Sequence, residues 1–275
     1  YEQVKNKIKR YQNVKIMTYQ GLQSLLRKGE HIAHYDYIVA DECHYFLTDG
    51  LFNQYTDISF KWLRSQTNNV VVYMSATGNH LFTGLKLAGV VNPDREYYIK
   101  NEYEQLDSVY FYNKNQIRKV IDHILINQPE DKILVFVNSI KRLKEMRCIY
   151  GDKASYLCSR YHAKDTSLSF VDFDCVQDCQ YDKRILFATK SLDNGIDLKD
   201  ERIKHILSEI IDIDSAIQAI GRKRPIDEDD RYNVYFLRYN NLAIRQFARI
   251  EEEDLRPVEE LMKDKNNFIE KYKHD

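Results

Sequence analysis

Two adjacent carboxylates, Asp41 and Glu42, directly follow the apolar run Tyr37–Ala40. A short apolar run of this kind is typical of a buried strand, and open α/β sheets bind ligands at the carboxyl ends of their strands. A nucleoside triphosphate site needs one carboxylate to hold Mg²⁺ and a second to orient and deprotonate the attacking water. Asp41 followed by Glu42 meets that need, although such a pair alone also opens a loop or caps a helix.

Hydroxyl side chains follow two further apolar runs. Ser75 and Thr77 come after Val70–Met74, and Thr189 comes after Ile185–Ala188. Each of these segments, taken alone, is an ordinary turn at the end of a strand.

Two pairs of polar residues complete the set in the second half of the chain. Six and eight residues beyond Thr189 stand Gly195 and Asp197, as Gly-x-Asp. Gln218 and Arg222 are four residues apart, so both would project from one face of a helix. An arginine at a helix end is also commonly a solvated residue that complements the helix dipole.

The order of these groups resembles motifs II, III, V and VI of superfamily 2 helicases of the DExH type, which are DEAD/DEAH box-like. The four motifs read Asp-Glu-Cys-His at 41–44, Ser-Ala-Thr at 75–77, Thr-x5-Gly-x-Asp at 189–197 and Gln-x-x-Gly-Arg at 218–222. The segment 18–22 resembles motif Ib, and 134–139 resembles motif IV. Helicases of this type consist of two RecA-like lobes that close on ATP and move along nucleic acid.

The resemblance implies roles in ATP hydrolysis. Asp41 would coordinate Mg²⁺, Glu42 would be the catalytic base, and Arg222 would be the arginine finger, with Gln218 beside it in the catalytic set. His44 would couple the site to Gln218 in the other lobe. The implied ATP-binding set is Asp41, Glu42, His44, Gly195, Asp197, Gln218, Arg222 and Arg224.

The resemblance also implies roles outside hydrolysis. Ser75 and Thr77 would relay the state of the nucleotide to lobe closure. Small hydroxyls and backbone amides can hold phosphates without much positive charge. The expected nucleic-acid contacts are accordingly Thr18, Tyr19, Ser139 and Thr189.

Two departures from the helicase pattern shape the expectation. Pro225 stands where motif VI usually ends in arginine; the nearest substitute is Arg224, and a shift of one residue on a helix rotates a side chain by about 100°. None of the nine glycines is followed by lysine, so the sequence contains no Gly-Lys-Thr/Ser phosphate loop. We therefore expect an N-terminally incomplete helicase, and a 275-residue chain that by itself hydrolyses ATP hardly at all.

The alternation of apolar runs with helix-period segments predicts an α/β fold. With the resemblance, the expected architecture is two RecA-like (P-loop NTPase) lobes with parallel sheets, the first incomplete, and a short C-terminal helical segment. The predicted domains are 1–100, 101–240 and 241–275, with the polar stretch 92–105 as linker. The predicted strands are Val14–Thr18, Tyr37–Ala40, Val70–Met74, Ile133–Val137, Ile185–Ala188 and His205–Leu207, several apolar enough to be central.

Three helices are predicted in the second half of the chain, with a helical tail behind them. The first buries a stripe at Ile117, Val120, Ile121, Ile124 and Leu125. The second begins at a Ser139 cap and ends at Gly151. The third is capped by Asp214 or Ser215, buries Ile213, Ala216, Ile217 and Ile220, and is terminated by Pro225. Beyond Arg238 only helix is expected, restarting at Pro257.

The composition of the chain limits the kinds of binding partner that we expect. Lys plus Arg number 41 and Asp plus Glu 42, a net charge of −1, so a nucleic-acid partner must be held by a local groove rather than a basic surface. Five cysteines in a chain of this length indicate reduced thiols rather than a disulfide framework or a zinc site. No apolar stretch reaches the length of a membrane span, so we expect a cytoplasmic protein with no membrane partner.

These observations predict an ATP-dependent nucleic-acid helicase or translocase that uses ATP and Mg²⁺. The sequences Thr-Tyr-Gln-Gly-Leu at 18–22 and Gly-Arg-Lys-Arg at 221–224 resemble those of bacterial or phage DNA motors, and this resemblance favours DNA over RNA. Two alternatives stay open: a translocase that does not separate strands, and a non-catalytic nucleic-acid-binding scaffold without a phosphate loop. Other subunits of a nucleic-acid-processing complex are a further partner class left open.

Overall fold

The computed structural model describes residues 13–48, 53, 55–87, 89–99, 104–162, 164–190, 196–264, 266–267 and 271. The chain divides into two units, Tyr1–Asn101 and Glu102–Asp275. The division lies inside the polar stretch 92–105, whose described residues form a 3-10 turn at Pro93–Arg95 and otherwise irregular backbone.

The first unit contains two strands and four helices among its described residues. In chain order they are α1 (Tyr19–Arg27), β1 (Tyr37–Ala40), α2 (Tyr45–Thr48), α3 (Thr56–Arg64), β2 (Val70–Tyr73) and α4 (Asn79–Leu87). The strands pair in parallel, with Tyr37 opposite Val70 and Ala40 opposite Tyr73. Ala40, Cys43, Leu63, Leu81 and Leu85 form the buried core between the sheet and these helices.

Two expectations for this unit are wrong. Val14–Thr18 is irregular rather than a strand, and its last residue, Thr18, is the cap of α1. The strands are also not buried on both faces: Tyr37 is 73% exposed and Val39 58%. In the described part of the chain only one face of this two-stranded sheet is covered.

The second unit is built around one parallel sheet of six strands in the order β3-β10-β9-β4-β8-β5. Its elements are β3 (Leu106–Tyr112), α5 (Ile117–Asn127), β4 (Lys132–Val137), α6 (Ile140–Tyr150), β5 (Ala154–Leu157), β6 (Val176–Gln177), β7 (Gln180–Tyr181), β8 (Ile185–Thr189), β9 (Ile203–Ser208), α7 (Ile213–Ile220), β10 (Tyr232–Leu237) and α8 (Asn241–Lys263). All six residues of β4 are buried, as expected for a central strand of a parallel sheet. The short strands β6 and β7 form a separate antiparallel hairpin.

Helices cover both faces of this sheet. The α5 and α6 side chains Ile121, Ile124, Leu143 and Met146 pack on one face. Ala216 and Ala219 of α7 belong to the cluster on the other. This arrangement, with parallel strands joined by crossover helices, is the predicted α/β architecture.

The helix predictions are confirmed for α5 and α6 and are partly wrong for α7 and α8. Ser139 caps α6, which ends at Gly151. The cap of α7 is Asp212, whose carboxylate accepts the Ser215 N–H at 2.8 Å. The small residues Ser215, Ala216 and Ala219 are buried on α7, while the predicted core residues Ile213 and Ile217 are exposed.

The ends of these two helices also differ from expectation. The helix α7 ends at Ile220, with Gly221 as its C-cap, before Pro225 is reached. The helix α8 continues through Pro257 to Lys263 without restarting. Among the described residues, no helix has the length and apolar character needed to cross a membrane.

Candidate functional site

The carboxylates Asp41 and Glu42 lie on a loop that backbone hydrogen bonds hold at the end of β1. Met74 N–H donates to Ala40 O at 2.9 Å, and Cys43 N–H donates to Met74 O at 2.9 Å. The intervening Asp41 and Glu42 are therefore exposed between two anchored residues. Glu42 has a positive φ of 49°, a conformation that costs a residue with a side chain about 1–3 kcal/mol. Its N–H donates to Asp41 Oδ1 at 3.0 Å, which orients the first carboxylate.

Motifs II and III are in direct side-chain contact. His44 Nδ1 lies 2.8 Å from Ser75 Oγ and 3.3 Å from Glu42 Oε2. Ser75 Oγ also accepts the Thr77 N–H at 3.1 Å. The structure thus brings the predicted residues Glu42, His44, Ser75 and Thr77 into one cluster.

Gly78 allows this turn to close. A Cβ at residue 78 would come within 2.6 Å of the Phe82 ring and 2.9 Å of Ser75 Cβ, distances that no side chain tolerates. Any larger residue would require the Phe82 ring, Ser75 or both to shift. The glycine after Ser-Ala-Thr therefore follows from packing.

Cys43 and Tyr19 support the carboxylate loop from inside the unit. Cys43 is fully buried, and burial raises the pKa of its thiol to about 12, so it stays protonated. Tyr19 Oη donates to Asp41 O at 2.6 Å, its ring stacks on Tyr45, and burial raises its pKa. Thr18 Oγ1 accepts the Gly21 N–H at 3.0 Å as the cap of α1. Contact of Thr18 and Tyr19 with nucleic acid stays a prediction.

In the second unit, motifs V and VI are joined through their backbones. Leu198 N–H donates to Arg222 O at 2.7 Å, and Arg224 N–H donates to Leu198 O at 2.8 Å. Arg224 Nε also donates to Asp197 Oδ1 at 3.0 Å. Asp197, Arg222 and Arg224 therefore belong to one local assembly, whereas Gly195 lies outside the described residues.

The predicted shared helical face of Gln218 and Arg222 is wrong in one respect. Gln218 is half-buried on α7, but Arg222 lies beyond the end of that helix and its N–H donates to Ala219 O at 3.1 Å. Because the chain leaves the helix at Gly221 to pair with Leu198, that pairing and not helical periodicity sets the direction of Arg222. The coupling of His44 to Gln218 stays a prediction.

Ser139 and Thr189 lie at the same edge of the six-stranded sheet. Val137 pairs with Thr189 at the ends of β4 and β8, and Ser139 follows two residues later. Ser139 Oγ accepts the Arg142 N–H at 3.2 Å as the cap of α6. Their expected contact with phosphates stays a prediction.

A polar network beside Ser139 was missed from the sequence. Arg142 Nε and Nη2 lie 2.8–3.1 Å from the carboxylate of buried Glu209. Tyr239 Oη donates to Glu209 O at 2.5 Å and accepts from Asn138 Nδ2 at 2.8 Å. An acid after a strand and a tyrosine 30 residues later carry no spacing signal that would have paired them.

Two family patterns match the chain. The pattern described as DEAD/DEAH box helicase matches residues 1–81, and that described as helicase conserved C-terminal domain matches residues 115–224. The chain belongs to the superfamily 2 helicases. The two matches fall in different units of this helicase chain.

Solved structures agree on the fold. The S. cerevisiae Dbp5 structure bound to RNA and ADP BeF3 is 14% identical with a TM-score of 0.55, covering 86% of this helicase chain and 61% of its own. The Mss116p structure bound to ssRNA and AMP-PNP is 18% identical with a TM-score of 0.55, covering 96% of this chain and 54% of its own. This helicase chain thus spans less than two thirds of either structure. Among curated proteins, none matches it in sequence.

The residues present fit part of a magnesium–nucleotide site. Within the described part of the chain no group of three or more His, Cys, Asp or Glu side chains could hold a metal by itself. Mg²⁺ commonly takes only one or two protein carboxylates and completes its shell with phosphates and water, which suits exposed Asp41. The sequence contains no phosphate loop, so the cradle for the phosphates is not among these residues.

Proposed function

We propose that this helicase chain carries most of the catalytic and coupling residues of an ATP-dependent nucleic-acid motor. The observation that carries the proposal is the contact of Glu42, His44 and Ser75 at the end of a parallel strand. A carboxylate at that position can accept a proton from an attacking water while its neighbour Asp41 faces a metal. The unit 1–100 acts as the first lobe, 101–240 as the second, and 241–275 as a helical extension.

Each catalytic residue has a distinct task in this proposal. Glu42 orients and deprotonates the attacking water, and Asp41 supplies an oxygen ligand to Mg²⁺. Arg222 stabilises the charge that develops on the transferred phosphoryl group. Gln218 and His44 link the nucleotide to the opposite lobe. MgATP is the substrate whose hydrolysis these residues would promote.

Arg224 takes a different task from the usual second arginine of motif VI. Its guanidinium is engaged by Asp197, which was expected to approach the nucleotide. In the proposal this ion pair orders Asp197, and Arg222 alone faces the phosphoryl group. Loss of Arg224 then weakens nucleotide binding more than it slows the chemical step.

The proposed partner is single-stranded nucleic acid held by hydroxyls and backbone amides. Thr18 and Tyr19 in one unit and Ser139 and Thr189 in the other are the contacts that the motif resemblance supplies. The solved relatives carry RNA or ssRNA, whereas the sequence wording predicts DNA. Both polymers therefore belong in the experiment.

The test measures ATP hydrolysis by the complete polypeptide that contains this sequence, with and without single-stranded DNA or RNA of equal length. Wild type is expected to show stimulated hydrolysis, and Glu42→Gln to lose about 10²–10⁴-fold in kcat because the general base is gone. Glu30→Gln, an exposed carboxylate before β1, serves as the matched control and keeps wild-type kcat. A fully active Glu42→Gln enzyme would remove the proposed role.

The same preparation separates the alternatives. Hydrolysis with unwinding of duplexes that carry overhangs indicates a helicase, and hydrolysis without unwinding indicates a translocase. Binding of nucleic acid with no hydrolysis by wild type indicates the non-catalytic scaffold. The polymer that gives the larger stimulation decides between DNA and RNA.

A further inference from the structure

Lys223 is a fully buried cation between the two arginines of motif VI. Its side chain is 0% exposed, and its Nζ donates to the carboxylate of Asp230, which is 2% exposed. Lys204 Nζ donates to the other oxygen, Oδ1, at 3.1 Å, and Ile226 N–H donates to Oδ2, the oxygen that Lys223 contacts, at 3.1 Å. If Arg222, Lys223 and Arg224 were an ordinary run of surface charges, all three side chains would instead lie in water.

The Asp230 carboxylate is held in its charged form. Burial by itself would raise the pKa of Asp230, but the hydrogen bonds from Lys223, Ile226 N–H and Lys204 outweigh it and lower that pKa. Burying an ion pair is seldom favourable relative to apolar side chains of the same size. In this structure the carboxylate joins the side chain of residue 223 to the backbone of residue 226.

The backbone around Lys223 carries the two arginines. Lys223 is the residue in parallel bridge with Leu198, whose N–H and C=O bond the peptide groups of Arg222 and Arg224. Successive side chains of an extended segment point to opposite sides, so the side chains of Arg222 and Arg224 point away from that of Lys223. With Lys223 drawn inward to Asp230, Arg224 extends outward to Asp197 and Arg222 lies half-buried.

We propose that Lys223, held by Asp230, is a positioning residue that sets the direction of Arg222 and Arg224. The inference rests on the proposed function, because it concerns how the arginine finger of that site is held. Lys223 and Asp230 themselves touch neither nucleotide nor nucleic acid in this account. They act through the segment 222–224 and its bridge to Leu198.

A second buried lysine–aspartate pair in the same unit provides a matched control. Lys132 and Asp200 are each 3% exposed and lie 2.7 Å apart. Asp200 also takes a partly exposed cation, Arg202, and a backbone N–H, as Asp230 does. Asp200 lies only two residues from Leu198, the residue bridged to Lys223. The control pair is therefore also close to the bridge, which makes the comparison stringent.

The experiment replaces each pair by apolar residues of similar size, so that neither member of the pair is left as an unpaired buried charge. The complete polypeptide is prepared as Lys223→Met/Asp230→Leu and as Lys132→Met/Asp200→Leu. Hydrolysis is measured as kcat and KM per folded molecule, and amide hydrogen exchange is measured at Leu198 and Arg224. The exchange readout needs neither nucleotide nor activity.

The expected result separates the two variants. Lys223→Met/Asp230→Leu loses about 10–100-fold in kcat, its KM rises because Arg224 no longer orders Asp197, and its Leu198 and Arg224 amides exchange about tenfold faster. The control keeps kcat within twofold and keeps amide protection. In addition, Arg222→Ala lowers kcat far less in the Lys223→Met/Asp230→Leu background than in wild type, because the finger is already displaced.

Two outcomes overturn the inference. One is a Lys223→Met/Asp230→Leu protein that keeps wild-type kcat and wild-type amide exchange, when Arg222→Ala alone inactivates the enzyme. The other is an equal loss in both pair variants, which would make the effect one of general stability. Failure of the proposed function would look different. In that case wild type would hydrolyse no ATP, or Arg222→Ala would keep wild-type kcat, with Lys223 unchanged.

Discussion

Ser75 Oγ makes one contact that joins the turn after β2 to the carboxylate loop and one hydrogen bond within that turn. It contacts His44 Nδ1 at 2.8 Å and accepts the Thr77 N–H at 3.1 Å. We expect Ser75→Ala to lower the free energy of unfolding of the first unit by about 1–3 kcal/mol, because a half-buried imidazole and a backbone donor each lose one hydrogen bond. Urea unfolding followed by the fluorescence of Trp62, the single tryptophan, reports this unit.

Ser24→Ala on the exposed side of α1 is the control for that measurement. It should stay within about 0.5 kcal/mol of wild type. Equal urea midpoints for Ser75→Ala and Ser24→Ala would contradict the contact between motifs II and III.

His205 makes the second unit sensitive to acid. Burial lowers the pKa of His205 below 6.5, outweighing the hydrogen bond from Nε2 to Asp131 at 3.1 Å, while Nδ1 lies 3.1 Å from Tyr235 Oη. The folded state therefore binds this proton less well than the unfolded state. By linkage, stability is lost as the pH falls below 6.5.

The measurement is the thermal midpoint followed by far-UV circular dichroism at pH 7.5 and 5.5. Wild type should lose more of its midpoint on acidification than His205→Asn, although the variant is less stable at both pH values. His123→Asn, an exposed histidine of the same unit, should show the wild-type difference. A His205→Asn protein with the full wild-type drop would exclude His205 as the source.

At the scale of elements, burial separates two isoleucines of α5. Ile121 is fully buried against the six-stranded sheet, whereas Ile126 is 77% exposed on the same helix. Ile121→Ala should cost about 2–5 kcal/mol through lost burial and a residual cavity. Ile126→Ala should change the free energy of unfolding by less than about 0.5 kcal/mol, as an exposed position does. Similar unfolding midpoints in urea for the two variants would show that α5 does not pack as described.

Sequence patterns identified the central elements better than the edge elements. The runs at β4, β8 and β9 are apolar because these strands are covered on both faces, so their pattern is strong. The edge strands β3 and β5 and the inner strand β10 were missed, since β3 and β10 mix polar with aromatic residues and β5 has only four residues. On α7 the burial of Ala216 was predicted, but that of Ser215 and Ala219 was missed, because periodicity favours isoleucine over small residues whereas close packing on the sheet favours the reverse.

The candidate site likewise contains some residues that sequence patterns predict and others that they do not. Asp41, Glu42, Ser75 and Thr77 could be predicted because short motifs at strand ends carry their own spacing. The Lys223–Asp230 and Arg142–Glu209 pairs could not, because their partners are brought together only by the fold of the chain. The direction of Arg222 likewise depends on a bridge to Leu198 that no local pattern encodes.

At the scale of the whole molecule, the helicase motifs are distributed over two units that the structure describes separately. A net charge of −1 gives no general attraction for phosphates, so the proposed nucleic-acid binding depends on local hydroxyls and backbone amides. The chain spans 61% of Dbp5 and 54% of Mss116p in those structures, so activity belongs to tests on the complete polypeptide.

A structure of the complete polypeptide with Mg²⁺, a non-hydrolysable ATP analogue and single-stranded nucleic acid joins all three scales. We predict that Mg²⁺ lies within coordination reach of Asp41, that Glu42 faces the γ-phosphate, and that Arg222 from the second unit contacts the same phosphate. A nucleotide bound away from Asp41 and Glu42, or one that Arg222 does not reach in the closed complex, would contradict the assignment of this chain as a two-lobe ATP-driven motor.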